Sequence, residues 1–273
     1  MNYKIVYDSS SDLRTNDKIV SVPLKIITSE REFVDDANLD VKEMVEYLST
    51  YKGKSSTSCP NINDWLEAFG DAENVFCIAI TSKLSGSFNS GHMACEEYET
   101  LHPGRRAHIF DSTSTGAHLE LIGDKIEELA SQGLSFDEII TKVDEYALKL
   151  RTIFSLECLN NLANNGRVSK VVATGANIFG IRIVGYATNG QLDPQFKVKG
   201  EKRAIAKIME MLRDNNYNGG KIYINTCFNE KAAASLAQQV KEIYGADAKI
   251  NSCKGLDSFY AEKGGIILAF EMK

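Results

Sequence analysis

The first half of the chain uses one design three times: a short apolar run that ends in a turn rich in small hydroxyl side chains. Tyr3-Lys-Ile-Val-Tyr-Asp8 leads into Ser9-Ser10-Ser11-Asp12, and Val75-Phe-Cys-Ile-Ala-Ile80 into Thr81-Ser82-Lys83-Leu84-Ser85-Gly86-Ser87. Ala107-His-Ile-Phe110 leads into Asp111-Ser112-Thr113-Ser114-Thr115-Gly116. Helical patterns follow the second and third turns, over 88–99 and 117–131, the latter stopped by Gly133. Near-continuous apolar runs alternating with helices predict a parallel sheet covered on both faces. The loops after its strands collect at one edge, so the hydroxyl-rich turns should converge where such sheets bind ligands. Helix N-termini there expose unpaired N–H groups that favour an anion.

A capping box, Ser135-Phe-Asp-Glu138, opens a further helix that runs to about Leu150 and closes this unit. The second half is patterned differently. Arg151–Ser155 reads as a strand, and Ile181–Thr188 meets Gln191–Lys197 through Asn189-Gly190, a hairpin signal. A helix near 200–214, a strand at Lys221–Thr226, a helix over 229–244 and a last strand near Ile266–Phe270 complete it. The expected class is therefore α/β. An α/β domain with a mainly parallel sheet flanked by helices spans 1–150, an α+β domain spans 151–273, and the ligand lies between them.

Composition removes several functions. The 31 Lys and Arg against 37 Asp and Glu give a net charge of −6, too acidic for a phosphate-neutralising surface, so no nucleic-acid partner is expected. No stretch approaches the roughly 18 apolar residues of a membrane span, and the opening residues lack a signal-peptide pattern, so a cytoplasmic protein is expected. Six cysteines include no Cys-x-x-Cys, and His92 with Cys95 is half a zinc motif at most, so no metal is expected. Gly-x-Ser-x-Gly is absent, and Gly86-Ser-Phe-Asn-Ser-Gly91 has P-loop spacing but His92 and Met93 where Lys and Ser/Thr belong. The loop set carries Asp8, Asp12 and Asp111 with one cation, Lys83, which suits a single carboxyl group held by neutral donors. Ser56-Thr57-Ser58-Cys59-Pro60 adds hydroxyls, with Asn61 or Asn63 placed to open the helix that carries Trp65, Leu66 and Phe69. A helix cap and turn explains that segment equally well.

These residues resemble the DegV family of bacterial fatty-acid-binding proteins. Asp8-Ser-Ser-Ser-Asp12 is similar to the family's opening Asp-Ser motif, Val22-Pro23-Leu24 to the Pro-Leu after it, and Thr57-Ser-Cys-Pro60 to Thr-Ser-x-Pro. Leu84-Ser-Gly-Ser-Phe-Asn-Ser90 resembles Leu-Ser-Gly-Thr/Ser-Tyr-x-Ser, Asp111-Ser112 the third strand end, and Leu162–Ser169, with Gly166-Arg167, the Leu…Gly-Arg element. The resemblance implies one long-chain fatty acid, palmitate-like, in a tunnel between the domains, and no cofactor. It places the carboxyl group at Thr57 and Ser85, with Ser56, Ser58, Gly86 and Ser87 beside them, and with Asp8, Ser9, Asp111, Ser112 and Tyr260 in support. It also implies a kinase subunit that makes the acyl-phosphate, so this chain is a binder and not itself an enzyme. Lys199, Lys202 and Arg203 would form the docking patch, and transient contact with a membrane surface fits the same role.

Two departures stand out. Tyr260 occupies the position of a family histidine, and Lys199 stands where an arginine is common. Two alternatives follow: a drifted member that binds another lipid, and an acyl or phosphoryl transferase with Ser85 or Ser87 as nucleophile and Asp8 or Asp111 as base.

Overall fold

The computed structural model describes residues 2–13, 15–170 and 180–272. The three repeated apolar runs are neighbouring strands of one sheet, β1 (Tyr3–Asp8), β6 (Asn74–Ala79) and β7 (Arg106–Asp111), joined at its edge by β2 (Ile19–Val22). The order is β2-β1-β6-β7 and every pairing is parallel, with Val6 opposite Cys77 and Cys77 opposite Ile109. Alternate residues feed opposite faces. Val6, Val75 and Cys77 pack on α2 (Ile62–Phe69) and α3 (Ser87–Leu101), while Ile5, Tyr7, Phe76 and Ile78 pack on α4 (Ala117–Ser131) and α5 (Phe136–Ala147). The caps are the expected ones: Ser135 with Glu138 opens α5, and Asn61 with Asp64 opens α2.

Helix α4 is buried on nearly every side, including His118, Glu120 and Gly123. The stretch Ala117–Gly123 has no solvent face, and α4 packs on β6 one way and on the second large sheet the other. Gly123 lets α4 approach the parallel sheet, because a Cβ there would fall 1.3 Å from the hydroxyl of Tyr7 in β1.

The second large sheet uses β8 (Leu150–Leu156), β9 (Ile181–Thr188), β10 (Gln191–Lys199), β11 (Ile222–Thr226), β12 (Lys249–Ser252) and β13 (Ile266–Glu271). Its order is β10-β9-β8-β13-β11-β12, antiparallel except for β11 with β12. Asn189 and Gly190 both have positive φ, 50° and 79°, as the tight hairpin turn demands. Helices α7 (Glu201–Asp214) and α8 (Glu230–Tyr244) cover one face, burying Ile208, Leu212, Leu236 and Val240 against Ile224, Leu268 and Phe270.

A third sheet, β4-β3-β5, goes beyond the sequence expectation. It joins β3 (Lys25–Thr28), β4 (Glu32–Val34) and β5 (Ser55–Ser58), all antiparallel, beside α1 (Val41–Thr50). Strand β5 reads Ser-Ser-Thr-Ser and has no apolar alternation to reveal it. Two short helices, α6 (Asn160–Asn164) and α9 (Gly255–Ala261), complete the described residues used below. No described helix is long and apolar enough to cross a membrane.

Candidate functional site

The three hydroxyl-rich turns meet at the C-terminal edge of the parallel sheet, and the hydrogen bonds between them are explicit. Asp8 Oδ2 accepts from the Ile80 N–H at 2.9 Å, Thr81 N–H donates to the Ser114 carbonyl at 3.0 Å, and Gly116 N–H donates to the Ser10 carbonyl at 2.9 Å. Asp8 Oδ1 also accepts from the Ser10 hydroxyl at 2.5 Å and the Ser10 N–H at 3.2 Å. Burial raises the Asp8 pKa and these donors oppose the rise, so three hydrogen bonds to one carboxyl hold two loops together. Ser9 Oγ accepts from the Leu24 N–H at 2.9 Å, Asp111 from the Ser82 and Thr113 N–H groups, and the Ser112 hydroxyl donates to the Ser114 carbonyl at 3.0 Å. Asp8, Ser9, Asp111 and Ser112 thus have their capacity committed within the loops.

Beside this web lies a narrow cavity. Its wall is built from both halves of the chain and is mainly apolar: Leu24, Ile80, Leu84, Phe154, Leu156, Leu162, Ala187, Leu192, Leu256 and Ile267. Four of its polar side chains, Thr57, Ser85, Arg167 and Tyr260, cluster together; Thr115, Thr152 and Asp257 are the others. The Thr57 and Tyr260 hydroxyls share a hydrogen bond of 2.8 Å, and the Arg167 guanidinium lies 5.8 Å from the Tyr260 ring centre. Arg167 Nε donates to the carbonyl of Leu84, the neighbour of Ser85, at 3.1 Å. Ser85 Oγ accepts from the Ser87 N–H at 3.2 Å, which leaves its own proton available. Burial raises the Tyr260 pKa, with Thr57 and Arg167 opposing, so the phenol stays neutral and can donate.

Local structure explains each placement. Strand β5 pairs Thr57 with Ile26, and the two-residue alternation turns Thr57 inward while Ser56 is exposed and the Ser58 hydroxyl donates to the Cys59 carbonyl. Gly86 is exposed at the N-cap of α3 and Ser87 is buried at its first position; neither lines the cavity. Helix α9, which carries Tyr260, is anchored at its start by carboxyls from the first half. Asp35 accepts from the Gly255 and Leu256 N–H groups at 2.7 and 2.8 Å, and Asp12 from the Lys254 N–H at 2.5 Å.

Sequence reasoning counted Lys83 as the cation of the loop set, but Lys83 is exposed and lies outside the cavity wall. The cation in the wall is Arg167, which forms no ion pair among the described residues. Its signal was the Gly166-Arg167 pair. Gly166, at φ 74°, ends α6 with its N–H on the Ala163 carbonyl, and Arg167 N–H closes on Leu162 at 2.8 Å.

His118 is not available for chemistry. Its Nδ1 shares a hydrogen bond of 3.0 Å with Thr152 Oγ1, which also accepts from the Ser114 hydroxyl at 2.8 Å. Burial holds the ring neutral, with its pKa pushed down to about 3. Among the described residues no group of three His, Cys, Asp or Glu is placed to hold a metal ion. Lys199, Lys202 and Arg203 are exposed at the end of β10 and the start of α7 and form no ion pair among the described residues.

The family model described as "Uncharacterised protein, DegV family" matches residues 2–270. A DegV domain-containing protein of Streptococcus pneumoniae is 38% identical over 280 residues, with both chains covered in full. A crystal structure of a DegV family protein from Eubacterium eligens, loaded with heptadecanoic acid, superposes with a TM-score of 0.97 at 40% identity, covering 99% of this chain and all of the other. The Streptococcus pneumoniae Fatty Acid Kinase (Fak) B3 protein, loaded with linoleic acid, does so with a TM-score of 0.97 at 37% identity and full coverage of both.

Proposed function

The chain belongs to the DegV family, and from that premise we propose that it holds one long-chain fatty acid in the cavity between the parallel and the mixed sheets. The observation that carries the reading is a mainly apolar wall in which Thr57, Ser85, Arg167 and Tyr260 cluster together. Each buried methylene is worth about 0.8 kcal/mol, so the acyl chain supplies most of the affinity. The polar cluster then fixes direction. Arg167 supplies positive charge, and the hydroxyls of Thr57, Ser85 and Tyr260 donate to the carboxylate oxygens. Heptadecanoic and linoleic acids in the two related crystal structures support this ligand class.

The protein then acts as a carrier. Ser85 accepts its hydrogen bond from a backbone N–H and, among the described residues, none from or to a histidine or carboxylate that could activate it as a nucleophile. Residues 1–150 and 151–273 are the two domains of the reading, and the carrier works in the cytoplasm. It presents its ligand to a kinase subunit that forms the acyl-phosphate, with Lys199, Lys202 and Arg203 as the docking patch. The name of the Fak B3 relative supports that role. Transient contact with a membrane surface would load it.

Tyr260 favours one variation, a ligand other than a simple fatty acid, because a phenol offers a neutral donor and no titration near neutral pH. Mass spectrometry of an organic extract tests the reading. Near-stoichiometric fatty acid in the wild type, depleted in a Thr57→Ala, Ser85→Ala double variant, supports it. An empty wild type that also ignores added fatty acids overturns it.

A further inference from the structure

The small sheet β4-β3-β5 grips helix α9 with one of its faces. Asp35 follows β4 and continues its ladder, with its N–H on the Leu24 carbonyl at 2.9 Å. In that register Asp35 stands opposite Leu24, and Thr57 of β5 stands opposite Ile26. Residues opposite one another share a face, as do alternate residues along a strand, so Asp35, Leu24, Ile26 and Thr57 belong to one side of the sheet. Helix α9 lies on that side: Phe259 packs with Ile26 and Phe33, and Leu256 and Tyr260 pack with Leu24.

The sheet holds α9 by polar contacts at two points. The first N–H groups of a helix have no partner within it, and both oxygens of Asp35 take them: Oδ1 accepts from Gly255 at 2.7 Å and Oδ2 from Leu256 at 2.8 Å. Asp35 is 2% exposed, and the fit is close, because a Cβ on Gly255 would fall 2.5 Å from Oδ1. The second point is the 2.8 Å hydrogen bond between the Thr57 and Tyr260 hydroxyls. Asp12 holds the N–H of Lys254, just before the helix, whereas Asp35 holds N–H groups of α9 itself. Leu256 and Tyr260 are four residues apart, one turn along the same helix face, and both line the cavity. A slide or tilt of α9 that carried the Tyr260 hydroxyl away from Thr57 would therefore strain the two bonds to Asp35.

Resting on the fatty-acid reading, we propose that Asp35 is a positioning residue of the carboxyl site, which sets where the Tyr260 hydroxyl stands by fixing α9 on the sheet face that carries Thr57. Asp35 lies outside the cavity wall, so it reaches the ligand through α9 and not by contact. Loosening α9 leaves Thr57 in its strand and draws the phenol out of place, which removes one hydrogen bond to the ligand.

A double-mutant cycle on delipidated protein, with hexadecanoic acid as the ligand, tests this. Asp35→Asn keeps the side-chain volume but turns one accepting oxygen into a donor that faces a helix N–H. The expected result is binding about fivefold weaker for Asp35→Asn in the wild-type background. In a Tyr260→Phe background, where no phenol remains to be placed, the same substitution should cost less than about twofold. If Asp35→Asn fails to fold, Gly255→Ala replaces it. That change brings a Cβ within 2.5 Å of both Asp35 Oδ1 and the Leu39 side chain, displaces the same carboxyl, and should show the same dependence on Tyr260. An equal penalty in both backgrounds, or none in either, overturns the proposal and leaves the carrier reading standing. Wild-type protein that does not bind hexadecanoic acid overturns both.

Discussion

The web around Asp8 and the polar cluster of the cavity are made of the same residue types and adjoin one another, yet they differ in how their hydrogen bonds are used. In the web, Asp8, Ser9, Ser10 and Ser112 find partners among backbone groups of neighbouring loops. In the cavity cluster, Arg167 and Ser85 keep donors that backbone carbonyls do not fully occupy, and Thr57 is bound only to another hydroxyl. Saturation makes the first region scaffold, and spare capacity beside an apolar wall is what the second, the proposed carboxyl site, offers a ligand. Serine content alone does not separate them.

Substitutions can break this contrast. The largest effect is expected at Asp8. Asp8→Ala strands the Ile80 N–H and the Ser10 donors in a fully buried place, at a cost of about 3 kcal/mol, read as a lowered urea midpoint. The Thr57→Ala, Ser85→Ala pair should do the reverse, leaving the midpoint nearly unchanged while weakening fatty-acid affinity about a hundredfold, or ~2.7 kcal/mol. A double variant that unfolds as readily as Asp8→Ala would erase the distinction.

A third effect is set by pH. His118, at about 3 in the folded protein against an ordinary 6.5, is protonated only in the unfolded chain between those values. Its contribution is therefore complete above pH 6.5 and is lost as pH falls towards 3, with a slope of at most about 1.4 kcal/mol per pH unit. Asp12 acts oppositely. Burial raises it from 3.8 to about 7, so the folded state holds the extra proton and stability falls as pH rises through that window. Relative to the wild type, His118→Gln should make the slope of stability against pH between 4 and 7 more negative, and Asp12→Asn less negative, both measured as urea midpoints against pH. The smallest effect is expected at Ser56, which β5 turns outward: Ser56→Ala should alter neither midpoint nor affinity.

Much of the scaffold was legible because it obeys simple periodicities. The three strand-and-turn units, the Ser135 capping box and the Asn189-Gly190 hairpin each carry a local signal that the fold honours. Strand β5 was not legible, since Ser55–Ser58 owes its extended form to pairing with Lys25–Thr28, an interaction no local pattern announces. The same gap affected the site. Thr57 and Ser85 were singled out by motif, but separating Thr57 from Ser56 and Ser58 required the register of a strand that was not anticipated. Arg167 was visible as part of a motif, and its place in the wall depends on how α6 ends against the Leu84 loop. Asp257 lies 142 residues from the Thr115 hydroxyl that orients it, beyond the reach of any spacing rule.

Helix α4, enclosed by the parallel sheet on one side and the mixed sheet on the other, makes the two large sheets share a single core element. A hinge that swung the sheets apart would have to strip apolar surface from α4, including the Tyr7 contact at Gly123. The proposed ligand would therefore exchange more easily at the periphery. The β9–β10 hairpin supplies Ala187 and Leu192 to the wall, and its Gly190 carbonyl accepts from the Thr81 hydroxyl at 3.2 Å. Amide exchange should then be slower along α4 than at that hairpin.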